Sequence, residues 1–416
     1  MEKQKGKTPS VCDWIGGGHC VVIDATNHPV SADDDNTADG TSLGPDNCVG
    51  VAYILALLGS TDIPHPPLEA VLTVMEEKGK VGGANYDTTK LTGTHMIDFN
   101  WITDDQILAG CGGDLPLAID LPAAPDPTPE DYIGKQIAIR GLHGGHCEFD
   151  IHLERANAIV ALARILARVS GRFDVRIAEL SCGVQNNVIP ADAPATVMLD
   201  PRGAATFDQE VAATAQTLKD EFACADPDLR VDVHDHPRTD TSRPASATSA
   251  VAWLGILIPN GVVSWSLVTP GIVESSNNLG TLRLDDDGIH LMTTITAGVT
   301  SSKHHIAEQI TALADLVGGT ASEFGLDAPE FPYNAESELL RRAREAYTDV
   351  IGTEPTTLVS NCSLELGMFT NRLSGLDTIS IGTNLSGLHS PAERVSHRSI
   401  ARVWPVVKTL MGKLDS

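Results

Sequence analysis

Four side chains that can hold a metal ion or move a proton fall at or just beyond predicted strand ends. They are Asp46, Glu76, Glu77 and His389. Open α/β sheets collect ligand sites at such positions. Adjacent residues at a strand end point in divergent directions, so one of the two glutamates can bind a metal ion while the other handles protons. Each position also has an ordinary interpretation, because Asp46 can cap a helix and the others can belong to solvated loops.

Apolar runs near both ends of the chain predict helices that alternate with buried strands. The runs Val51–Leu58 and Ser337–Val350 have the length and spacing of helices. Strands are predicted at Leu68–Met75, His95–Phe99 and Thr378–Ile381. This alternation is typical of an α/β fold.

The middle of the chain has a different pattern, bordered by the proline-rich stretches Leu121–Pro129 and Ala328–Pro332. The pattern predicts a strand at Gln136–Arg140 and a long helix from about Ile151. Later strands alternate apolar and polar residues, which suits an antiparallel sheet with one covered face. These strands lie at Phe173–Ile177 and Ile289–Ile295.

A chain of 416 residues is too long for one ordinary core, and we expect two domains. We predict an α/β domain of catalytic type formed by residues 1–131 and 329–416. An inserted α+β lid domain is predicted at residues 132–328. The apolar content of 42% is sufficient for packed cores in both.

The charge balance excludes several classes of partner. A formal net charge of -26, without a Lys/Arg cluster, disfavours nucleic acid and anionic membranes. The sequence contains no apolar run long enough for a membrane span and no stretch typical of a signal peptide. The eight cysteines show no paired metal spacing and no disulfide-framework density. We therefore expect a cytoplasmic protein with reduced cysteines.

Several stretches, in the same order along the chain, resemble the aminoacylhistidine dipeptidase (peptidase D) type of the dinuclear zinc peptidases. The resemblance extends from about residue 20 to the end of the chain. The matching stretches are Ala38–Asn47, Pro67–Glu77, Gly110–Gly113, Gly141–His146, Asp150–His152, Arg155–Asn157, Asn187–Pro190, Glu274–Gly280 and Gly387–Pro391. The resemblance implies a zinc-peptidase-like catalytic domain that carries the inserted lid.

In such enzymes an aspartate bridges two zinc ions, and each ion has further ligands of its own. The resemblance places the bridge at Asp46, with Glu77 and His389 completing one metal site. Zinc accepts these oxygen and nitrogen donors. Manganese or cobalt could substitute for zinc in such a site.

The resemblance also assigns roles around the metal. Glu76 would be the general base that takes a proton from the attacking water. His146 of the lid would hydrogen-bond the developing oxyanion. Asn187 and Glu365 would help to hold the substrate.

The sequence departs from this family at the other metal site. Asn100 stands at the family's carboxylate position, and a neutral amide is a poor zinc ligand. Residues Asn27–Asn36 contain no His-x-Asp, the motif that supplies the family's histidine. Asn361–Ser363 also stand where family members usually have His-Ala-Gly. The site could therefore hold one ion instead of two, unless other residues replace the missing ligands; candidates are His19, His28 and Asp33–Asp35.

Three functions are compatible with this pattern. The first is a metal-dependent dipeptidase that hydrolyses short peptides such as Xaa-His by metal-activated water, with activity lowered by the incomplete site. The second is an inactive or single-metal relative that binds peptides without hydrolysis. The third is a structural subunit that pairs with active subunits through the lid, and a homodimer is compatible with the first two.

Overall fold

The computed structural model describes residues 35–37, 43–76, 79–267, 269–388 and 393–415. These residues form two compact units. The first contains the described residues up to Gly110, together with Tyr333–Val359 and those from Met368 onward. The second contains Cys111–Pro332 and Ser360–Gly367.

The described helices are α1 (Pro45–Gly59), α2 (Val81–Asn85), α3 (Ala158–Ser170), α4 (Ala204–Glu221), α5 (Ala245–Leu257), α6 (Thr300–Leu316), α7 (Glu338–Ile351), α8 (Leu366–Arg372) and α9 (His397–Leu414). In the part of the chain that the structure describes, none of these helices has both the length and the apolar character needed to cross a membrane.

The described strands are β1 (Asp35–Thr37), β2 (His95–Trp101), β3 (Gln106–Leu121), β4 (Asp126–Pro127), β5 (Ile133–Arg140), β6 (Gly145–His146), β7 (Val175–Cys182), β8 (Val188–Ile189), β9 (Ala193–Leu199), β10 (Arg230–His236), β11 (Thr241–Ser242), β12 (Gly261–Trp265), β13 (Val273–Leu284), β14 (Ile289–Ala297), β15 (Thr320–Glu323), β16 (Thr356–Ser363), β17 (Asp377–Gly382), β18 (Leu385–Ser386) and β19 (Arg394–Ser396). Helices and strands mix along the chain, which confirms the predicted α/β class.

The first unit is built on the parallel pair β2 and β17. Apolar side chains of α1, α7 and α9 form one buried cluster with the side chains of these strands. The predicted helix Ser337–Val350 is confirmed as α7. Ser337 caps this helix by accepting a hydrogen bond from the Leu340 N–H (2.9 Å). Asp377 at the start of β17 accepts bonds from the Ser337 hydroxyl (2.6 Å) and the Leu339 N–H (2.9 Å). This contact fixes the helix against the strand.

The strand predicted at Leu68–Met75 is wrong. The segment has no strand structure, and Leu72 and Val74 are 50% and 69% exposed. No strand in the described ranges pairs with it. A strand needs a hydrogen-bonded neighbour, whereas here the Val74 carbonyl accepts from the Gly82 N–H (3.0 Å) in a turn.

The second unit contains an antiparallel sheet in the order β10, β5, β9, β7, β13, β14, β3. Buried apolar side chains of these strands and of α3–α6 form one core. The strand predicted at Ile289–Ile295 is confirmed as part of β14, and the predicted strand at Gln136–Arg140 is part of β5. Phe173 precedes β7, whose first inward residues are Val175 and Ile177.

The helix predicted from about Ile151 begins later, at Ala158. Ile151–Leu153 forms a separate 3₁₀ turn, which ends at Glu154 with a left-handed φ of 50°. Asn157 then caps α3 by accepting hydrogen bonds from the Ile159 and Val160 N–H groups. The predicted buried face of the helix is confirmed by Ile159, Leu162, Leu166 and Val169.

The division into units differs from the predicted domain limits. The second unit begins at Cys111 instead of residue 132, because β3 pairs with β14 from Gly113 to Leu121. Its main segment ends at Pro332, close to the second proline-rich stretch. Separate folding of residues 132–328 as a lid stays a prediction.

Candidate active site

Asp46 lies in the first turn of α1, where its backbone is not helical (φ -87°, ψ 101°). The preceding residue pair, Gly44-Pro45, starts the helix, and Gly44 has a left-handed φ of 81°. The carboxylate of Glu393, which is only 3% exposed, accepts bonds from the Leu43 N–H (2.7 Å) and the Gly44 N–H (2.8 Å). The loop that carries Asp46 is therefore held by a residue four positions after His389 in the sequence.

The start of α1 is also held against β2, the strand that carries Asn100. A side chain at Gly50 would meet the Phe99 Cβ at 2.8 Å, so the close packing of helix and strand requires glycine there. The rings of Tyr53 and Phe99 lie 5.7 Å apart, edge to face. Asn100 is half-buried. Asp98, on the same face of the strand, accepts a hydrogen bond from the Ser380 hydroxyl (2.6 Å).

The surroundings of Asp46 carry negative charge. Partial burial raises the pKa of the Cys48 thiol, and the nearby carboxylates of Asp46 and Glu393 raise it further. The thiol is therefore protonated near neutral pH, so oxygen donors dominate this part of the first unit.

Glu76 lies in a short turn and is half-buried. The preceding residue, Met75, has a left-handed φ of 60°, and Lys80 beyond the double glutamate has one of 56°. Non-glycine residues with such backbone angles are uncommon and concentrate at functional sites. The Lys80 N–H donates to the Glu76 carbonyl (2.7 Å) and closes the turn.

The metal ligands predicted at Glu77 and His389 lie outside the described residues. Within the described ranges, no group of three or more His, Cys, Asp or Glu side chains forms a metal site. Asp46, Glu76 and Asn100 all belong to the first unit. The metal site therefore stays a prediction.

In the second unit the structure brings together two of the predicted residues, His146 and Asn187. The short strands β6 and β8 pair so that His146 lies opposite Val188. The Cys147 N–H donates to the Asn187 carbonyl (2.9 Å). The family resemblance implies substrate contacts for both residues but does not predict that their backbones pair.

The ring of His146 is oriented by its own loop. The Glu148 N–H donates to His146 Nδ1 (3.2 Å), so the neutral imidazole carries its proton on Nε2. The ring packs on Phe149 with centroids 5.2 Å apart. An Nε2–H donor is the form that can stabilise a developing negative oxygen.

The backbone of this loop is fixed by Asp150 and Arg155. Asp150 Oδ2 accepts from the His146 N–H (2.8 Å), and Arg155 donates to the Gly144 carbonyl (2.6 Å). Gly145 has a φ of 139°, and a side chain there would meet Asp150 Oδ2 at 2.6 Å. The motif residues around His146 therefore act as supports for its position.

A second polar network holds the segment that carries Asn187. Asn278 Nδ2 donates to the carbonyls of Asn186 (3.0 Å) and Val188 (2.9 Å), on either side of Asn187. Asn157 Nδ2 donates to the Leu279 carbonyl (2.9 Å) next to Asn278. Asn187 itself is exposed.

Glu365 is half-buried and follows β16. Gly367 lies against the Pro329 carbonyl, where any side chain would come within 2.1 Å. This close approach fixes the turn that carries Glu365 in the second unit.

Comparisons with known proteins find dipeptidases that are similar to this chain along most of its length. A family model described as "Peptidase dimerisation domain" matches residues 137–224. The cytosol non-specific dipeptidase of Escherichia coli K12 is 28% identical over 398 residues, which cover 95% of this chain and 82% of the relative. The crystal structure of aminoacylhistidine dipeptidase from Vibrio alginolyticus superposes with a TM-score of 0.82 at 26% identity, covering 94% of this chain and 81% of that one.

Proposed function

Because the chain belongs to the aminoacylhistidine dipeptidase (peptidase D) type of the M20 peptidases, we propose that it hydrolyses short peptides such as Xaa-His with the help of bound metal. The likeness to a dipeptidase along 94% of the chain carries this proposal. It spans both compact units and therefore the elements around Asp46 and His146.

The residues present fit a metal ion of the zinc type. Asp46 offers a carboxylate, and the buried Glu393 holds the loop that carries it; oxygen donors of this kind suit zinc, manganese and cobalt. We assign Asp46, Glu77 and His389 as the ligands. Asn100 replaces the family's carboxylate for the other ion, so we propose one tightly held zinc ion instead of two. When bound, the ion would polarise the peptide carbonyl and lower the pKa of water toward about 7.

Glu76 supplies the proton transfers in this proposal. Its carboxylate would accept a proton from the attacking water and then give it to the departing amine. His146, with its proton on Nε2, would donate to the oxyanion as the carbonyl becomes tetrahedral. Asn187 and Glu365 would position the peptide.

Asn100 favours a second candidate function, in which a single-metal relative binds peptides without hydrolysis. The two functions are separated by assaying the purified protein with Xaa-His dipeptides and added zinc, manganese or cobalt. The proposal predicts release of free amino acids that a chelator abolishes. Peptide binding without release under every metal would support the second function.

We also propose a homodimer that buries one apolar surface of the second unit, formed by the outer faces of α5 and β12. Trp253, Ile256 and Leu257 share one face of α5, and Trp253 and Leu257 are 51% and 52% exposed. Val263 and Trp265 are exposed on β12. Exposed apolar side chains of this size commonly mark a surface that a partner covers.

A second copy of the chain is the partner that fits this surface. No Asp, Glu, Lys or Arg occurs between Arg243 and Glu274, so two copies with a net charge of -26 repel each other least here. In the described part of the chain, β12 pairs only with β13 and is an edge strand. Two copies of an edge strand can pair antiparallel about a two-fold axis.

Trp253→Asp should convert the dimer to a monomer, because the substitution places a charge on the apolar surface. Size-exclusion chromatography with light scattering measures the change. Leu316→Asp is the matched control, since Leu316 is an exposed apolar residue at the end of α6 in the same unit. A Trp253→Asp protein that stays dimeric, or a wild-type protein that is monomeric, would contradict the proposal.

A further inference from the structure

At the end of β16, two buried polar side chains each have one atom that finds no hydrogen-bond partner among the described residues. Asn361 and Ser363 are 6% and 7% exposed and, being two residues apart on a strand, share a face. Asn361 Nδ2 donates to the Ser276 hydroxyl (2.9 Å). Within the described ranges, Asn361 Oδ1 and Ser363 Oγ have no partner. A buried polar atom in this state has lost its hydration without replacement, which a ligand donor would supply.

Carboxylates from neighbouring strands lie along the same side. Ser276 pairs with Thr296 on β14, and Thr296 pairs with Asp114 on β3, so the three form a row on one face of the sheet. Glu274 precedes Ser276 by two residues and shares that face. Both carboxylates are half-buried, so the row opens toward solvent at Asp114 and Glu274.

Two glycines pack closely against these groups. A side chain at Gly112 would lie 3.1 Å from Thr296 and 3.3 Å from the Asn361 carbonyl. A side chain at Gly298 would meet Glu274 Oε1 at 2.9 Å. A larger residue at either position would push into the polar row.

We propose that Asn361, Ser363, Asp114 and Glu274 bind the ammonium group of the amino-terminal residue of a peptide, an inference that rests on peptides being the substrates. An amide oxygen and a hydroxyl can both accept from a primary ammonium, which offers three donors. The two carboxylates supply the opposite charge. An anionic group would be repelled by them, and an apolar group would leave Asn361 Oδ1 unsatisfied.

Calorimetric binding of Gly-His and N-acetyl-Gly-His tests the proposal. The measurement uses the zinc-loaded chain with Glu76→Gln, so that the peptide stays intact whether or not the wild-type protein hydrolyses it. Gly-His should bind at least tenfold more tightly than its acetylated form. Asn361→Leu should weaken Gly-His binding roughly 10- to 100-fold, the usual loss for a hydrogen bond to a charged group, and leave the acetylated peptide unaffected.

Two further variants separate this site from a structural role. Ser363→Ala removes a hydroxyl without a partner in the described chain, so it should keep or raise the thermal midpoint while weakening Gly-His binding severalfold. Asn371→Leu, at an exposed position of α8, is the control and should bind both peptides like the parent. Equal affinity for the two peptides, no binding of either, or a preference retained in Asn361→Leu would each overturn the proposal.

Discussion

Glu77→Gln should release the metal ion from this chain, whereas Glu76→Gln should leave the metal bound and abolish most peptide hydrolysis. The two glutamates are adjacent and carry the same charge, so the variants form a matched pair. A ligand carboxylate changed to a neutral amide becomes a poor zinc donor. A general base changed to an amide can no longer accept a proton, which lowers the rate about 100- to 10,000-fold.

Metal content after dialysis and kcat on a dipeptide are the two measurements for this pair. Circular dichroism of both variants controls for folding. Equal metal loss in the two proteins would show that the roles assigned to Glu76 and Glu77 are wrong. Metal loss in the Glu76 variant alone would reverse the two roles.

His146→Ala should lower kcat about 100- to 1000-fold with a much smaller change in KM. The Nε2–H is proposed to bind an oxygen that becomes negative only during the reaction, and loss of one such donor typically has an effect of this size. The Glu148 N–H and the Phe149 ring hold the imidazole in place, so little rearrangement is needed when the peptide reacts.

His143→Ala is the matched control for that experiment. His143 lies in the same loop, but its Nδ1 contacts Asp226 (3.0 Å). Asp226 keeps the backbone N–H donors of His143 and Ala156 when the imidazole is removed. Activity should therefore stay near the wild-type value. Similar losses in both variants would show that the loop needs its side chains for structure alone.

The sequence predicts those helices and strands whose apolar side chains pack against other elements of the folded chain. The predictions for α7, β2, β14 and β17 are confirmed. The prediction for Leu68–Met75 failed because an apolar run indicates burial but does not reveal whether a neighbouring strand is present. The start of α3 was missed because the cap at Asn157 competes with an earlier helical turn at Ile151.

The contacts that support the candidate site are harder to predict from the sequence than the helices and strands are. No residue pattern indicates the role of Glu393, which holds the loop before Asp46 across 349 residues of sequence. The motif around Asp150 does not predict its bond to the His146 N–H, because that bond depends on the turn geometry of Gly145. Such contacts depend on backbone paths that the residue pattern alone does not specify.

The departure at Asn100 determines how the metal centre should behave. With neither the family's carboxylate nor a His-x-Asp motif in Asn27–Asn36, one of two ions would be held by Asp46 alone. An ion on a single shared carboxylate exchanges readily with water and other cations. Turnover should then fall roughly 100-fold or more below that of a relative with both sites, since a preorganised electrostatic element is lost.

The number of zinc ions retained per purified chain, measured together with turnover of an Xaa-His dipeptide, distinguishes a one-ion centre from a complete two-ion centre. We expect about one retained ion per chain and weak hydrolysis that a chelator abolishes. Two tightly bound ions with vigorous turnover would contradict it, because other residues would then have to supply the missing ligands.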